Sequence, residues 1–153
     1  MLDDHLVVQF LRDYGQETLH TINFMEYPWE TLIRQSRRVN LLSRIAFFLR
    51  ELELLDSVPE QPRIHFINSI KLSDANARSA KVEVKAIHKA LSATNVDFVL
   101  LKGAAYVWSG VNAGKGRLFT DTDILVTKET LPAAERALAH NGWFTSSLDR
   151  YTQ

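Results

Sequence analysis

Apolar positions recur at helical spacing over residues 1–93 and then change to short β-like runs. In DDHLVVQFLRDY, Leu6, Val7, Phe10, Leu11 and Tyr14 form one stripe behind two acids, which predicts an amphipathic helix. From Pro28, PWETLIRQSRRVNLLSRIAFFLRELELL carries Leu32, Ser36, Val39, Leu42/Ile45, Leu49 and Leu52 on a second helical run. Arg34, Arg37, Arg38 and Arg44 fall largely off that stripe and read as a solvated face. The composition of SVPEQP, residues 57–62, marks a loop. From Arg63 a long polar helix is expected, with Phe66, Ile70, Ser73, Ala77, Ala80, Val84, Ile87 and Leu91 on one stripe that is small in its middle. Small residues admit a close neighbour; packing within the chain is the preferred reading, and helix-mediated self-association is the alternative.

After ATNV the texture changes. VDFVLL, bounded by Asn95 and Gly103, predicts a buried strand. GAAYVWSG predicts a short helix beginning at Gly103, VNAGKGRLF a loop, and TDILV a second strand. In ETLPAAERALAHNG, Pro132 falls in the first turn and Gly142 just past the end, the expected asymmetry of a helix. WFTSSL predicts a third strand. The chain is therefore expected to be α+β: a helical region over 1–93, then a β-α-β-α-β region over 94–153.

Composition narrows the classes. The chain has 153 residues, 46% hydrophobic and 24% charged, which is ordinary for a globular domain. Its formal net charge is +0, so nothing in the global field favours nucleic acid or an anionic membrane. Cysteine is absent, which removes disulfide and thiolate chemistry and suits a cytoplasmic protein. No signal peptide is visible, and no segment approaches the roughly 20 apolar residues of a membrane span.

Chemistry concentrates in VLLKGAAYVWSGVNAGKGRLFTDTDILV. On a strand, residues two apart share a face, so Asp121 and Asp123 would lie side by side. Adjacent carboxylates repel, and a divalent cation relieves the repulsion; hard oxygen ligands suit Mg²⁺. The alternative is a solvated acid pair at a strand end. Lys102-Gly103 stands at a strand-to-helix junction, where free N–H groups of Ala104 and Ala105 and the positive helix end would receive phosphate. A plain tight turn with a solvated lysine is the alternative there. GVNAGKGR superficially resembles a P-loop, but Gly110 to Gly114 is one residue short and Gly116 replaces the Ser/Thr. It reads instead as a flexible connector bringing Arg117 toward the acids, to hold a triphosphate or to neutralise Asp121. The histidines show no ligand spacing, and Trp29, Trp108 and Trp143 read as core anchors.

LLKGAAYVW, Arg117, TDTDILV and LPAAERALAHNGW together resemble the uncharacterised nucleotidyltransferase family of the DNA polymerase β-like superfamily. The resemblance is close from Val96 to Phe144 and loose over the helical half. It implies that Gly103 matches the glycine of the superfamily's Gly-Gly/Ser turn, with Ala104 departing from the second position. It implies that Asp121 and Asp123 are the first two metal-binding, catalytic carboxylates, and that Lys102, Gly103, Ala104 and Arg117 face the nucleotide phosphates. Mg²⁺ or Mn²⁺ would be the cofactor, an NTP the substrate, and an unidentified small molecule or protein the acceptor of a nucleoside monophosphate. Metal ions about 4 Å apart would then support in-line displacement of pyrophosphate. The superfamily's third carboxylate comes from a later strand, and Asp149, the one acid after the last predicted helix, stands early for it. A core truncated at its C-terminus is therefore expected. The rival expectation is an inactive relative acting as a nucleotide- or protein-binding module.

Overall fold

A computed structural model describes residues 5–144. Six α-helices and two short strands run in the order α1 (His5–Gly15), α2 (Trp29–Arg38), α3 (Leu42–Glu51), α4 (Glu60–Ser92), β1 (Val99–Leu100), α5 (Lys102–Ser109), β2 (Ile124–Leu125) and α6 (Leu131–His140). Single 3-10 turns lie at Leu19–Thr21, Leu55–Ser57 and Asn112–Gly114. The α+β class expected from the periodicity is present, with helix dominating.

Helix α4 organises the rest. Its 33 residues extend about 50 Å at 1.5 Å per residue. Phe66 and Ile70 near its start join a core built with Val7, Phe10, Trp29, Leu32, Ile45 and Leu49. Ile87 and Leu91 near its end join a second core with Val96, Ala134 and Ala137. Between them Ser73 is buried and Ala77 half-buried, and α5 packs on this helix as well as α2, α3 and α6. The α4 stripe is thus covered within the chain, the packing preferred above. Burying a Phe or Leu side chain is worth about 1.5–3 kcal/mol, so each cluster holds its end of α4 independently.

The run beginning at Pro28 does not form a single helix. It breaks after Arg38, where Asn40 adopts φ +57°. The Leu41 N–H donates to Ser36 O at 2.8 Å and the Asn40 N–H to Arg37 O at 3.2 Å, a Schellman closure. The same paired bonds close α1 at Glu17, α3 at Glu53, α4 at Asn95 and α6 at Gly142. In four of these five ends the next residue, Leu41, Leu54, Val96 or Trp143, packs against one of the cores. Apolar anchoring after the cap therefore outweighs the left-handed cost of Asn or Glu at the cap. The break shifts the phase: Val39 and Leu52, expected on the buried stripe, are exposed.

The expected strand over 96–101 reduces to β1. Val99 pairs Leu125 and Leu100 pairs Ile124 in an antiparallel ladder. Val99 and Leu125 are 59% and 56% exposed, so the strand is not buried on both faces. Phe98, Ile124 and Val126 pack toward the second core, and the other face of the ladder stays open. Of the expected third strand, Trp143 and Phe144 are not in a strand; the remainder lies outside the described residues. Trp29 is buried and its Nε1–H donates to Phe24 O at 2.7 Å. Trp143 packs on the second core, whereas Trp108 is 47% exposed and does not anchor a core.

Tyr27 packs against the first core, but its hydroxyl is buried with no hydrogen-bond partner. Burial, reinforced by the Asp13 carboxylate, pushes its pKa up to about 12. The unfolded phenol ionises near pH 10 and the folded one later, so folding stability falls as pH rises from about 10 to about 12. Tyr27→Phe is expected to remove this loss and to gain about 1 kcal/mol at neutral pH, because no bond is broken and a desolvated hydroxyl is deleted. Urea denaturation of both proteins at pH 7 and pH 11 checks it; a destabilised Phe variant at pH 7 contradicts it.

Candidate functional site

The β1–β2 ladder fixes the relation between the lysine–glycine turn and the acid pair. One step beyond the Leu100–Ile124 pair, the Leu101 N–H donates to Asp123 O at 2.9 Å. Asp123 is thereby held opposite the residue that precedes Lys102. Lys102 Nζ closes the contact with an ion pair to Asp123 Oδ2 at 3.2 Å. Asp121 and Asp123 precede β2 in an irregular segment, so they do not occupy ladder positions. Asp121 is exposed and Asp123 half-buried. Between them, Thr122 donates its hydroxyl to Glu83 Oε2 of α4 at 2.7 Å. The D-x-D segment is therefore tied to β1 by backbone and to α4 by a side chain.

Helix α5 begins at Lys102, one residue earlier than its composition suggests. Lys102 has φ +49°. The other non-glycine residues with positive φ among those described, Glu17, Asn40, Glu53 and Asn95, all sit at helix C-termini. Lys102 alone holds this conformation at a helix start, where no cap geometry requires it. A left-handed lysine costs about 1–2 kcal/mol, and such strain concentrates at sites that need a fixed geometry. The Ala105 N–H is not free as expected: it donates to Leu101 O at 3.3 Å. Gly103 and Ala104 are buried. A Cβ on Gly103 would meet the Phe119 ring at 2.8 Å, so the glycine's immediate use is to admit that ring.

Phe119 is itself fixed. Asn76 of α4 donates Nδ2–H to Phe119 O at 2.9 Å and accepts the Phe119 N–H on Oδ1 at 3.3 Å. The side-chain amide thus pairs with the backbone of residue 119 as a strand would. Sequence reading passed over Asn76; the available signal was a poor helix former in the middle of a long helix.

The glycine-rich connector is not the flexible element it was expected to be. Arg44 Nη1 donates to the carbonyls of Asn112 and Lys115, and its guanidinium lies 4.7 Å from the Phe48 ring centroid. A Cβ on Gly114 would lie 2.8 Å from the Tyr106 backbone carbonyl. One on Gly116 would lie 2.7 Å from Ser43 O and 2.8 Å from Phe47 Cβ. These glycines let the loop dock on α5 and α3, and Arg44 is its clamp rather than part of a solvated face. Arg117 is exposed, with its guanidinium 5.7 Å from the Tyr106 ring centroid. The ion pairs among the described residues do not join it to Asp121.

The described residues contain no group of three His, Cys, Asp or Glu side chains arranged to hold a metal. Asp149 lies outside them. Among them, too, no helix is long and apolar enough to cross a membrane.

A strained lysine–glycine turn facing a D-x-D segment, on an α+β scaffold, makes up the candidate site. The chain belongs to the uncharacterised nucleotidyltransferase family, whose model matches residues 26–153. The match takes in α2, α3 and α4 as well as the region of close resemblance. No curated protein and no solved structure matches the chain.

Two glycines separate docking from backbone freedom. Gly110 and Gly116 both have positive φ, but a Cβ on Gly110 meets nothing within 4 Å. Gly110→Ala is expected to cost about 1 kcal/mol, the left-handed penalty alone. Gly116→Ala adds a collision with the α3 backbone and is expected to cost about 3 kcal/mol. Chemical denaturation of the two variants checks the difference, and equal losses would contradict the docked loop.

Lys102→Gly tests the strain. Glycine adopts φ +49° freely, and the ion pair lost is largely exposed, with 69% and 30% of its side chains accessible. Such a pair is worth about 0–1 kcal/mol, so the variant is expected to match or exceed the parent's stability by up to about 1 kcal/mol. A clear loss of stability would show that Lys102 is held for structural reasons.

Proposed function

We propose that this chain transfers a nucleoside monophosphate from an NTP to an acceptor in a reaction dependent on a divalent cation. The observation that carries the reading is the strained Lys102, whose ammonium rests on Asp123 at the opening of α5. Family membership supplies the general chemistry.

The residues present fit a divalent cation. Asp121 offers an exposed carboxylate and Asp123 a half-buried one two residues away. Mg²⁺ or Mn²⁺ takes one or two protein carboxylates and keeps its remaining positions for water and phosphate oxygens. When bound, the cation supplies positive charge to the phosphoryl oxygens and the departing pyrophosphate. The chain's own residues do the positioning. Lys102 is the group that would leave Asp123 for a phosphate oxygen, exchanging one anion for another. The Leu101–Asp123 hydrogen bond keeps turn and acids in register while that exchange occurs. Thr122 and Glu83 orient the segment from the side of α4. Arg117, on the Tyr106 ring, is a further cation of the motif that a triphosphate could meet.

A second reading is a binding module without turnover. It is favoured by one observation: the described residues hold no third acid arranged with the pair around a metal.

Thermal unfolding with Mg²⁺ and an NTP tests the site. A ligand at 100 times its dissociation constant stabilises by about 2.7 kcal/mol, so the parent's Tm is expected to rise and that of Asp121→Asn/Asp123→Asn to stay unchanged. Identical responses would remove the acids from the site. Transfer of labelled nucleotide to an acceptor then separates catalysis from binding alone.

A further inference from the structure

A groove of about 310 Å³ opens between α3, the middle of α4, α5 and the docked glycine loop. Its walls carry Phe47, Arg50, Asp74, Lys81, Tyr106 and Lys115. Three cations surround one ring: Arg44, Arg50 and Lys115 lie 5.9, 5.5 and 5.6 Å from the Phe47 centroid. Arg44 is occupied by the Asn112 and Lys115 carbonyls. Arg50 is paired with Asp74 at 3.2 Å, and Asp74 is the one carboxylate in the wall. Lys81 and Lys115 therefore have no counter-charge in the groove. In a chain of formal net charge +0 this is a local excess, and like charges gathered around a cleft attract a soluble anion.

The groove has room because its other walls are small. Ser73 and Ala77 supply the α4 side, and the docked loop closes the opposite side at Gly114 and Gly116. The small middle of the α4 stripe, which separates the two cores, is what leaves this space. Tyr106 connects the groove to the candidate site: it stands four residues after Lys102, one helical turn along α5, and bears Arg117 on its ring. Cations thus continue from Lys102, past Arg117, to Lys115 and Lys81.

We propose that this groove is a second anion site, which takes the phosphate or pyrophosphate group of a small molecule. Its volume is at the lower end of small-ligand pockets and suits such a group rather than a polymer. The phosphate can come from the nucleotide or from the acceptor. The preference for an anion stands on the groove's own charges; its assignment to the transfer reaction rests on the function proposed above.

Titration calorimetry with inorganic pyrophosphate, at low ionic strength and without divalent metal, tests it. Asp121→Asn/Asp123→Asn is expected to bind at least as tightly as the parent, since it removes no cation and releases Lys102 from Asp123. Lys81→Gln/Lys115→Gln is expected to bind about tenfold more weakly or worse, since both uncompensated charges of the groove are removed. Lys81→Arg/Lys115→Arg is expected to retain binding. Lys115 accepts from Arg44 through its backbone carbonyl and not its side chain, so these changes leave the loop clamp intact, which circular dichroism verifies. Equal binding by the parent and the glutamine variant, or no binding by the parent, overturns the groove. Failure of the acid variant in the Mg²⁺–NTP experiment bears on the other site alone. If an NTP with Mg²⁺ displaces pyrophosphate from the parent, the groove serves the nucleotide's phosphates. If both bind together, it serves the acceptor's. Either result upholds the anion site.

Discussion

The structure depends on one helix having to satisfy two cores at once. The buried positions of α4 run from Phe66 and Ile70 to Ile87 and Leu91, and each end is committed to a different set of neighbours. Its middle cannot be large, because α5 and the loop after it must approach there. Ser73 is buried and hydrogen-bonded to the Ile70 carbonyl, and Ala80 is buried by contact alone. From the same helix Asn76 holds Phe119 and Glu83 holds Thr122. Thus the helix that joins the cores also sets the position of the segment bearing Asp121 and Asp123. A rotation of α4 would be resisted at both ends by apolar burial before it could move the acids.

Local signals were legible where a segment's pattern and its surroundings agree. The long α4 stripe, the breaks at Asn95 and Gly142, and the succession of β1, α5, β2 and α6 all follow from periodicity and turn chemistry. The break at Asn40 was harder to read because leucines continue on both sides and preserve an apparent stripe. Glu53 carries almost no signal: glutamate favours helix interiors, yet here it takes φ +58° because Leu54 is drawn against the first core. Tertiary anchoring decided that boundary.

At the candidate site, motif and spacing single out residues but do not reveal their contacts. Lys102, Gly103, Asp121 and Asp123 were selected from motif and spacing, and the ladder brings Lys102 onto Asp123. Nothing in the sequence said that Gly103 yields its space to Phe119, or that Gly114 and Gly116 yield theirs to α5 and α3. A glycine required for flexibility and one required for close packing look identical in a chain. Arg44 illustrates the same loss of information. It lies among other arginines, but its guanidinium is the group that fastens the loop.

This distinction bears on how such a site would work. A hinged loop would pay ordering entropy whenever it closed on a nucleotide. The docked loop has already paid it, through glycine contacts, the Arg44 clamp and the Asn76–Phe119 pairing. The strain at Lys102 is retained in the same frame, and its ammonium rests at the turn on Asp123. Its present partner, Asp123, is half-buried and anionic, and a phosphate oxygen offers the same charge. Exchange of one anion for another on Lys102 would require little reorganisation of the backbone around it. The preorganisation of this frame, more than the flexibility its glycines first suggest, is what would let a small two-stranded ladder serve the transfer proposed above.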